Sequence, residues 1–393
     1  MPAPASKRRR ANPPTAAPAP GEPVSSPARA RERARTLPGQ VVLVLQGGGA
    51  LGAYQAGVFQ AMHECGIAPD WVIGTSIGAI NAALIAGNPA AERLQRLGAF
   101  WHGMEQPVAG LATPAAELLA KLDAIVRGVP GFFAPNPAAW LGAGVPLGAE
   151  GAAYYETSPL RRTLHALLDE RLLARPATRI TVSAVNVRTG RMRYFDSRDE
   201  ALGVDHVMAS GALPPAFPAV RVGTEAYWDG GLYSNTPIEA VLDDHPRRDS
   251  VIFAVNVWQP DGEEPRTLWD VMSRQKDIQY ASRADSHIAR QQQIHHLRHV
   301  IRAMSEHMPP ALRESPAMRE LASWGCHTTM HVIPLLSSRL AGDDHTKDID
   351  FSPQGIGARW RAGHADTLRA IERAPWEAAV DPIEGVVVHR LQP

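Results

Sequence analysis

The feature that most constrains the fold is the stretch Gly74-Thr75-Ser76-Ile77-Gly78, which has the pattern G-x-S-x-G. It follows a short apolar run, Trp71-Val72-Ile73, and it precedes Ile80–Ala86, whose composition predicts a helix. A serine between a strand and a helix, with a glycine two residues away on each side, is typical of a nucleophile elbow, where a sharp turn exposes the hydroxyl. The start of a helix also favours the negative charge that develops in acyl transfer. Ser76 is therefore a candidate catalytic nucleophile, and Gly74 and Gly78 complete its motif.

A glycine-rich turn lies upstream of this motif. The aliphatic run Gln40–Leu45 is typical of a central strand buried on both faces of a parallel sheet. The turn follows it directly, and Ala53–Cys65 then has an amphipathic helical pattern. Unpaired backbone N–H groups converge in such a turn and favour an anion. We therefore expect an oxyanion hole for the serine, formed by Gly47, Gly48, Gly49 and Gly52.

The same turn also satisfies the dinucleotide pattern G-x-G-x-x-G through Gly47, Gly49 and Gly52. A dinucleotide site needs an acidic residue at the end of the second strand, where it would hold a ribose. Asp70 has roughly the right spacing, but it precedes the second strand, and the serine motif follows that strand. The pattern therefore favours an oxyanion hole over a nucleotide site.

A third motif is Asp229-Gly230-Gly231, at the end of the predicted strand Glu225–Asp229. The two glycines predict a tight turn in which the Asp229 carboxylate faces a pocket. Asp-Gly is also a very common turn dipeptide, so a purely structural turn is the alternative for this motif taken alone.

Composition narrows the classes of function. Residues 1–40 carry eight Lys/Arg and two Glu, or 8 − 2 = +6, and because the whole chain is neutral the remainder is −6. This charge argues against nucleic-acid binding outside the tail. The two cysteines, Cys65 and Cys326, do not indicate a disulfide framework. No apolar run approaches a membrane span, and no apolar segment follows the basic stretch Lys7–Arg10. We therefore expect a cytoplasmic protein, with peripheral contact at the inner membrane surface left open by the basic tail.

Changes in composition and motif content along the chain predict three regions. Residues 1–38 form a basic tail rich in Pro and Ala, which we expect to be disordered. Residues 39–260 contain the three motifs and are the predicted catalytic domain. Residues 261–393 form a C-terminal extension in which two long helices and one strand are predicted. Five histidines between 287 and 307 are expected on a solvated helix face without a metal. The Ala/Gly/Pro-rich segment 107–153 is either an excursion packed over the core or an apolar cap that contacts acyl chains.

Taken together, the glycine-rich turn, the serine motif and the Asp-Gly-Gly motif resemble those of the patatin-like phospholipases. The stretch Ala209–Pro218 is similar to a family segment upstream of the aspartate. The resemblance covers roughly residues 40–260, and the later region resembles the C-terminal extension of a bacterial subgroup. It implies a three-layer α/β/α sandwich with a mostly parallel central sheet, followed by a mainly helical extension.

The resemblance also implies a mechanism. Ser76 would be the nucleophile and Asp229 its general base, in a dyad that needs no histidine, cofactor or metal and acts on a lipid or acyl ester through an acyl-enzyme. Leu51 departs from the family, which usually has Arg or Lys at that position, so a neutral acyl ester is an alternative to a phospholipid. A carboxylesterase with a Ser-His-Asp triad, using His206 or His245, competes with the dyad. A lipid-binding protein with a degenerate site competes with an enzyme of either kind. The sequence makes no prediction of the oligomeric state.

Overall fold

The computed structural model describes residues 27–106, 124–340 and 343–390. Its centre is a nine-stranded sheet with the strand order β11-β10-β9-β1-β2-β5-β8-β7, in which β6 also pairs with β5. The six strands from β11 to β5 are parallel to their neighbours, and β6, β7 and β8 are antiparallel to theirs. β3 and β4 form a separate two-stranded ribbon. The strands are β1 Gln40–Leu45, β2 Trp71–Gly74, β3 Ala134–Pro135, β4 Tyr155–Glu156, β5 Arg179–Asn186, β6 Met192–Asp196, β7 Val220–Val222, β8 Glu225–Asp229, β9 Ser250–Asn256, β10 Met330–Leu336 and β11 Val386–Val388.

Helices cover both faces of this sheet. Val41, Leu43 and Leu45 of β1 belong to a core shared with α2, α3 and α12, whereas Val42 and Val44 belong to a second core with α8 and α9. The sheet therefore lies between two helical layers, and the predicted three-layer α/β/α architecture with a mostly parallel sheet is confirmed. The helices are α1 Pro27–Ala34, α2 Ala53–Glu64, α3 Ile77–Ala86, α4 Arg93–Gly103, α5 Ser158–Leu167, α6 Glu170–Ala174, α7 Val204–Ser210, α8 Glu239–Leu242, α9 Leu268–Glu306, α10 Pro310–Arg313, α11 Pro316–Ala322 and α12 Pro353–Arg373. Short 3₁₀ turns span Gly49–Gly52, Pro137–Leu141, Gly230–Leu232, Lys347–Ile349 and Pro375–Glu377.

Strand register brings the three sequence motifs to one edge of the sheet. β1 and β2 are parallel neighbours, so the glycine-rich turn and the serine motif follow their carboxyl ends. β5 is longer than β2: its first half pairs with β2 as far as Val182, and beyond that point Ala184 pairs with Asp229 of β8. The antiparallel strand β8 thus ends just beyond the end of β2, which brings Asp229 next to the serine turn.

The C-terminal region continues the same fold. β10 and β11 add two parallel strands to the sheet beside β9. α12 packs closely on α2 through glycines, because a Cβ at Gly57 or Gly363 would overlap with the backbone of the opposite helix. The region is mainly helical, as predicted. A functional boundary at residue 260 stays a prediction, although the sheet itself does not end there.

The predicted disorder of the basic tail is wrong for residues 27–34, which form α1. Ala30 of this helix is fully buried, Arg31 donates a hydrogen bond to the Glu64 carbonyl, and Arg33 forms an ion pair with Glu377. These partners are distant in sequence, so the composition of the tail could not reveal them. Residues 1–26 lie outside the described ranges.

The predicted solvation of the α9 histidines is also wrong for His295 and His299. Both are buried; His295 lies against the carbonyl of Leu242, and His299 against two backbone carbonyls of the C-terminal region. In the described ranges, no three His, Cys, Asp or Glu side chains are grouped in a way that could hold a metal ion. None of the helices described is both long enough and apolar enough to cross a bilayer.

Candidate functional site

A cavity of about 230 Å³ opens at the carboxyl ends of β1, β2 and β9. In parallel α/β sheets this is the edge at which ligands bind. Six of the predicted site residues line the cavity, namely Gly47, Gly48, Gly49, Ser76, Asp229 and Gly231. Four others lie behind its wall, namely Gly52, Gly74, Gly78 and Gly230.

Ser76 occupies a sharp turn between β2 and α3. Its φ of +56° lies in the left-handed region, which residues with a Cβ rarely adopt. The flanking glycines make the turn sterically feasible, because a Cβ at Gly74 would overlap with the Gly78 carbonyl and one at Gly78 with the Leu45 carbonyl. The Ser76 N–H donates to the Ser210 hydroxyl at 3.0 Å. The elbow is therefore fixed against β1 on one side and α7 on the other.

Asp229 is 2% exposed, and its carboxylate accepts hydrogen bonds from the Ser76 hydroxyl and, at 2.7 Å, from the Gly231 N–H. Burial raises the pKa of Asp229 to about 7, although the two hydrogen bonds oppose this shift. A carboxyl group with this pKa is partly ionised near neutral pH and can exchange a proton with its neighbour. The next residue, Gly230, packs on Ser183, where a Cβ would overlap with the hydroxyl.

The glycine-rich turn contributes backbone donors. The N–H groups of Gly48 and Gly49 make no hydrogen bond within the described ranges, and both residues line the cavity. Gly49 has a φ of +54°, and a Cβ there would overlap with the carbonyl oxygen of Asp348. Gly52 instead packs behind the turn against Ile77. Free N–H groups at the start of a helical segment suit a negatively charged oxygen.

The cavity wall is mostly aromatic and aliphatic. Rings from four separate segments contact one another along it, with centroid distances between 4.8 and 6.3 Å. These rings belong to Phe132, Phe133, Tyr155, Phe217 and Phe351. The first two come from the 107–153 segment, so its described part both packs on the core and reaches the cavity. Contact of this segment with acyl chains stays a prediction. Residues 107–123 lie outside the described ranges.

Sequence reasoning missed the part of the wall that the C-terminal region contributes. Tyr280, Asp348, Ile349 and Phe351 of that region line the cavity, as does Trp258 just before it, yet none of the five belongs to a local motif. Ser210 was also missed as a partner of Ser76. The only signal for it was its position within the stretch Ala209–Pro218.

The charged side chains that line the cavity are acidic. Of the lining residues that the structure describes, the charged ones are Asp229 and Asp348, and the Lys276 ammonium pairs with the Asp348 carboxylate at 2.7 and 2.9 Å. Leu51 is buried at 3% exposure. The described wall therefore carries no cation that could bind an anionic group.

The histidines considered for a catalytic triad lie elsewhere, and no histidine is among the described lining residues. Burial lowers the pKa of His206, which accepts a hydrogen bond from the Gly203 N–H and packs edge-on against Phe195. His245 lies beside Arg247, in a cavity at the opposite edge of the sheet. Neither ring is in a position to act on Ser76.

Comparison with known proteins agrees with this geometry. A family model described as Patatin-like phospholipase matches residues 43–242, and a second, described as Patatin phospholipase, matches residues 278–383. Patatin-like phospholipase domain-containing protein 7 of Rattus norvegicus is 54% identical over 54 residues, which are 14% of this chain and 4% of the relative. Lysophospholipase nte1 of Aspergillus terreus is 46% identical over 78 residues, which are 18% of this chain and 5% of the relative.

These alignments span only a small part of the length of the curated relatives. The crystal structure of VipD from Legionella pneumophila aligns with 85% of this chain and 67% of its own, with a TM-score of 0.35 and 15% identity. The first family model alone covers more than half of the chain and contains all three sequence motifs. The chain therefore belongs to the patatin-like phospholipase family, whose class of activity is the hydrolysis of lipid esters.

Proposed function

We propose that this protein is a serine acyl hydrolase that cleaves carboxylic ester bonds of lipids by a Ser76–Asp229 dyad. One observation carries the proposal: a buried carboxylate, which has no cation beside it among the described residues, accepts a hydrogen bond from a serine hydroxyl at a strained turn. Serine is a weak nucleophile until an adjacent base takes its proton. Asp229 can be that base, because burial raises its pKa to about 7.

The reaction would proceed in two halves. Asp229 accepts the proton of Ser76 as the hydroxyl oxygen attacks the ester carbonyl carbon, and the N–H groups of Gly48 and Gly49 stabilise the tetrahedral oxyanion. The C–O bond to the alcohol then breaks, and Asp229 returns the proton to the leaving oxygen. In the second half Asp229 takes a proton from water as the water oxygen attacks the acyl carbon. The bond between that carbon and the Ser76 oxygen then breaks, Asp229 returns the proton to the Ser76 oxygen, and the carboxylic acid is released.

The two ordered regions predicted from the sequence contribute different parts of the site. In this proposal residues 39–260 supply the dyad and the oxyanion donors, and the region after 260 completes the acyl-binding wall through residues such as Phe351. The aromatic wall supports an acyl chain as the part of the substrate that enters the cavity.

The charge pattern supports a neutral acyl ester as the alternative substrate. Leu51 stands where the family usually has a cation, and the described wall is acidic. A phosphate near the dyad would gain no ionic partner from this wall. Hydrolysis of a phosphatidylcholine and of a monoacylglycerol with the same acyl chain, compared as kcat/KM in mixed micelles, separates the two substrate classes.

We also propose peripheral contact with a lipid surface. Three exposed side chains, Val126, Tyr154 and Leu232, each adjoin in sequence a residue that lines the cavity. We call these three residues the rim. An apolar rim beside an acyl-binding cavity allows a lipid to pass from a bilayer into the site without crossing water.

The test of the dyad is labelling with a fluorophosphonate probe, which phosphonylates an activated serine. We expect the wild-type chain to be labelled and Ser76→Ala to be unlabelled and inactive. Asp229→Asn should be labelled much more slowly, whereas the controls His206→Ala and His245→Ala should react like wild type. Labelling that survives Ser76→Ala would refute the nucleophile, and loss of labelling in a folded histidine variant would favour a triad.

A further inference from the structure

The carbonyl of Gly47 is held by two side-chain donors. The indole Nε1–H of Trp258 donates to it at 2.7 Å, and the Asn235 side-chain amide donates at 3.0 Å. On the other side of the same residue, the Gly47 N–H donates to the backbone carbonyl of Asn235 at 3.1 Å. A glycine in a turn is therefore fixed at both of its backbone polar groups.

We call the two hydrogen bonds from Trp258 and Asn235 to the Gly47 carbonyl the clamp. The clamp determines the direction of the next N–H group, that of Gly48. The Gly47–Gly48 peptide bond is trans, so the Gly48 N–H points away from the Gly47 carbonyl and away from the two donors that hold it. That N–H makes no hydrogen bond to the described part of the chain, and Gly48 lines the cavity. Consecutive glycines are otherwise conformationally free, so without the clamp the donor would sample many directions.

Trp258 is itself held rigidly. It is 2% exposed, its ring packs on Tyr280 at a centroid distance of 5.0 Å, and its backbone N–H donates to the side chain of Gln46 at 3.0 Å. Asn235 lies six residues after Asp229, in the segment that carries the proposed base. The two donors therefore connect the end of β9 and the aspartate segment to the same peptide.

We propose that Trp258 is a positioning residue whose indole N–H, together with the Asn235 amide, orients the Gly48 N–H as an oxyanion donor. This inference rests on the proposed function and deepens it. An oxyanion donor contributes most when its direction is fixed before the reaction begins. The clamp acts on the oxyanion and leaves the ground-state ester unaffected, so it alters kcat and not KM.

The experiment is Trp258→Phe, which keeps an aromatic ring on Tyr280 and removes the N–H. Removing an oxyanion donor typically costs about 10²–10³ in turnover, so misdirecting a donor that is still present should lower kcat about tenfold. We expect KM for p-nitrophenyl butyrate to be unchanged. The inhibition constant of an alkyl trifluoromethyl ketone, whose adduct with Ser76 carries an oxyanion, should rise about tenfold in parallel. Asn235→Ser, which removes the other donor, should give the same pattern.

Trp71→Phe is the matched control. The Trp71 indole is also buried and donates to a single partner, the Thr181 hydroxyl at 2.8 Å, but it lies at the opposite end of β2. We expect it to keep the wild-type kcat and ketone inhibition. The inference is overturned if Trp258→Phe and Asn235→Ser keep wild-type kcat, if they raise KM alone, or if Trp71→Phe loses as much activity. Activity that survives Ser76→Ala would instead refute the proposed function.

Discussion

The central sheet carries one cavity at the carboxyl ends of its strands and another at their amino ends. The two cavities differ in volume and, more importantly, in the polarity of the side chains that line them. The cavity at the amino ends of the strands is the larger, at about 560 Å³ against about 230 Å³. Its wall contains charged side chains from several segments, among them Asp70, Arg179, Arg198 and Asp244. The wall at the carboxyl ends is mostly apolar. Cavity volume alone would thus favour the amino-end cavity, whereas the environment of the Asp229 carboxylate favours the cavity at the carboxyl ends, which the proposed function uses.

The contrast is sharpest between two carboxylates near opposite ends of β5. Burial alone would raise the pKa of Asp244, but hydrogen bonds from Arg179 and Arg198, both at 2.8 Å, outweigh it and lower that pKa. Asp229 is more completely buried than Asp244, yet its partners are a hydroxyl and a backbone N–H, and its pKa rises to about 7. A partly buried acid with a cation therefore stays ionised and stabilises the fold. A buried acid without one remains able to exchange a proton.

The largest expected effect separates these two carboxylates by activity. Asp229→Asn should lower kcat/KM for a soluble ester by about 10³-fold, because general-base catalysis is worth about 10²–10⁴. Asp244→Asn should leave the kcat/KM of the folded protein within about twofold, since its side chain lies at the other edge of the sheet. Initial rates with p-nitrophenyl butyrate measure both. Equal losses of kcat/KM in the two variants would contradict a catalytic role that belongs to Asp229 and not to Asp244.

The second prediction separates them by stability. Arg179 forms ion pairs with Asp196 and Asp244, both at 2.8 Å, and all three side chains are largely buried. Arg179→Met should lower the free energy of unfolding by about 3 kcal/mol, because it leaves the Asp196 carboxylate without its cation and Asp244 with Arg198 alone. Urea denaturation measures this loss. The folded fraction should keep wild-type kcat/KM, and a variant as stable as wild type would show that this cluster is not a structural anchor.

The third prediction concerns pH. If Asp229 must be ionised to act, kcat/KM should rise about tenfold per pH unit up to about pH 7 and then level off. Stability should change in the opposite direction. The pKa of Asp229 in the folded protein lies above its ordinary value of 3.8, so the folded state holds the proton more tightly. The stabilisation is complete below about pH 3.8 and is lost as pH rises through 7.

Two measurements test these opposite trends. Rates with p-nitrophenyl butyrate between pH 5 and pH 8 should follow one ionisation near 7. The difference in unfolding free energy between Asp229→Asn and wild type should become more favourable to the variant from pH 5 to pH 8. A flat rate profile would contradict the assignment of Asp229 as the base.

The sequence predicted the local backbone wherever a motif determines it. Gly74 and Gly78 are required by close approaches within the elbow, and this need is visible as G-x-S-x-G. The position of Asp229 beyond the end of β2 depends on the antiparallel pairing of β8 with the second half of β5, which hydrophobic patterning did not reveal. Trp258 and Phe351 reach the cavity only because β9 and the C-terminal region pack around it. Likewise, α1 forms because distant residues such as Glu377 contact it.

The smallest expected effect tests the surfaces around the two cavities. Val126 of the rim is 68% exposed and directly follows Ile125, which lines the apolar cavity, whereas charged side chains line the cavity at the other edge. If the rim rests on a bilayer, Val126→Glu should lower activity on phosphatidylcholine vesicles about fivefold. The variant no longer buries part of a valine side chain in the bilayer, which weakens the free energy of vesicle binding by about 1 kcal/mol and corresponds to about fivefold. Hydrolysis of p-nitrophenyl butyrate, which needs no bilayer, should be unchanged.

Leu312→Glu is the matched control, because Leu312 is also exposed, at 51%, but lies on α10 and does not line the cavity. It should keep wild-type activity on vesicles, and co-sedimentation with the same vesicles should fall only for Val126→Glu. Equal vesicle activity in the two variants would mean that lipid reaches the dyad without contact at the rim. The two ends of the sheet would then differ only in the chemistry of their cavities, above all in the environment of the Asp229 carboxylate, and not in contact with lipid.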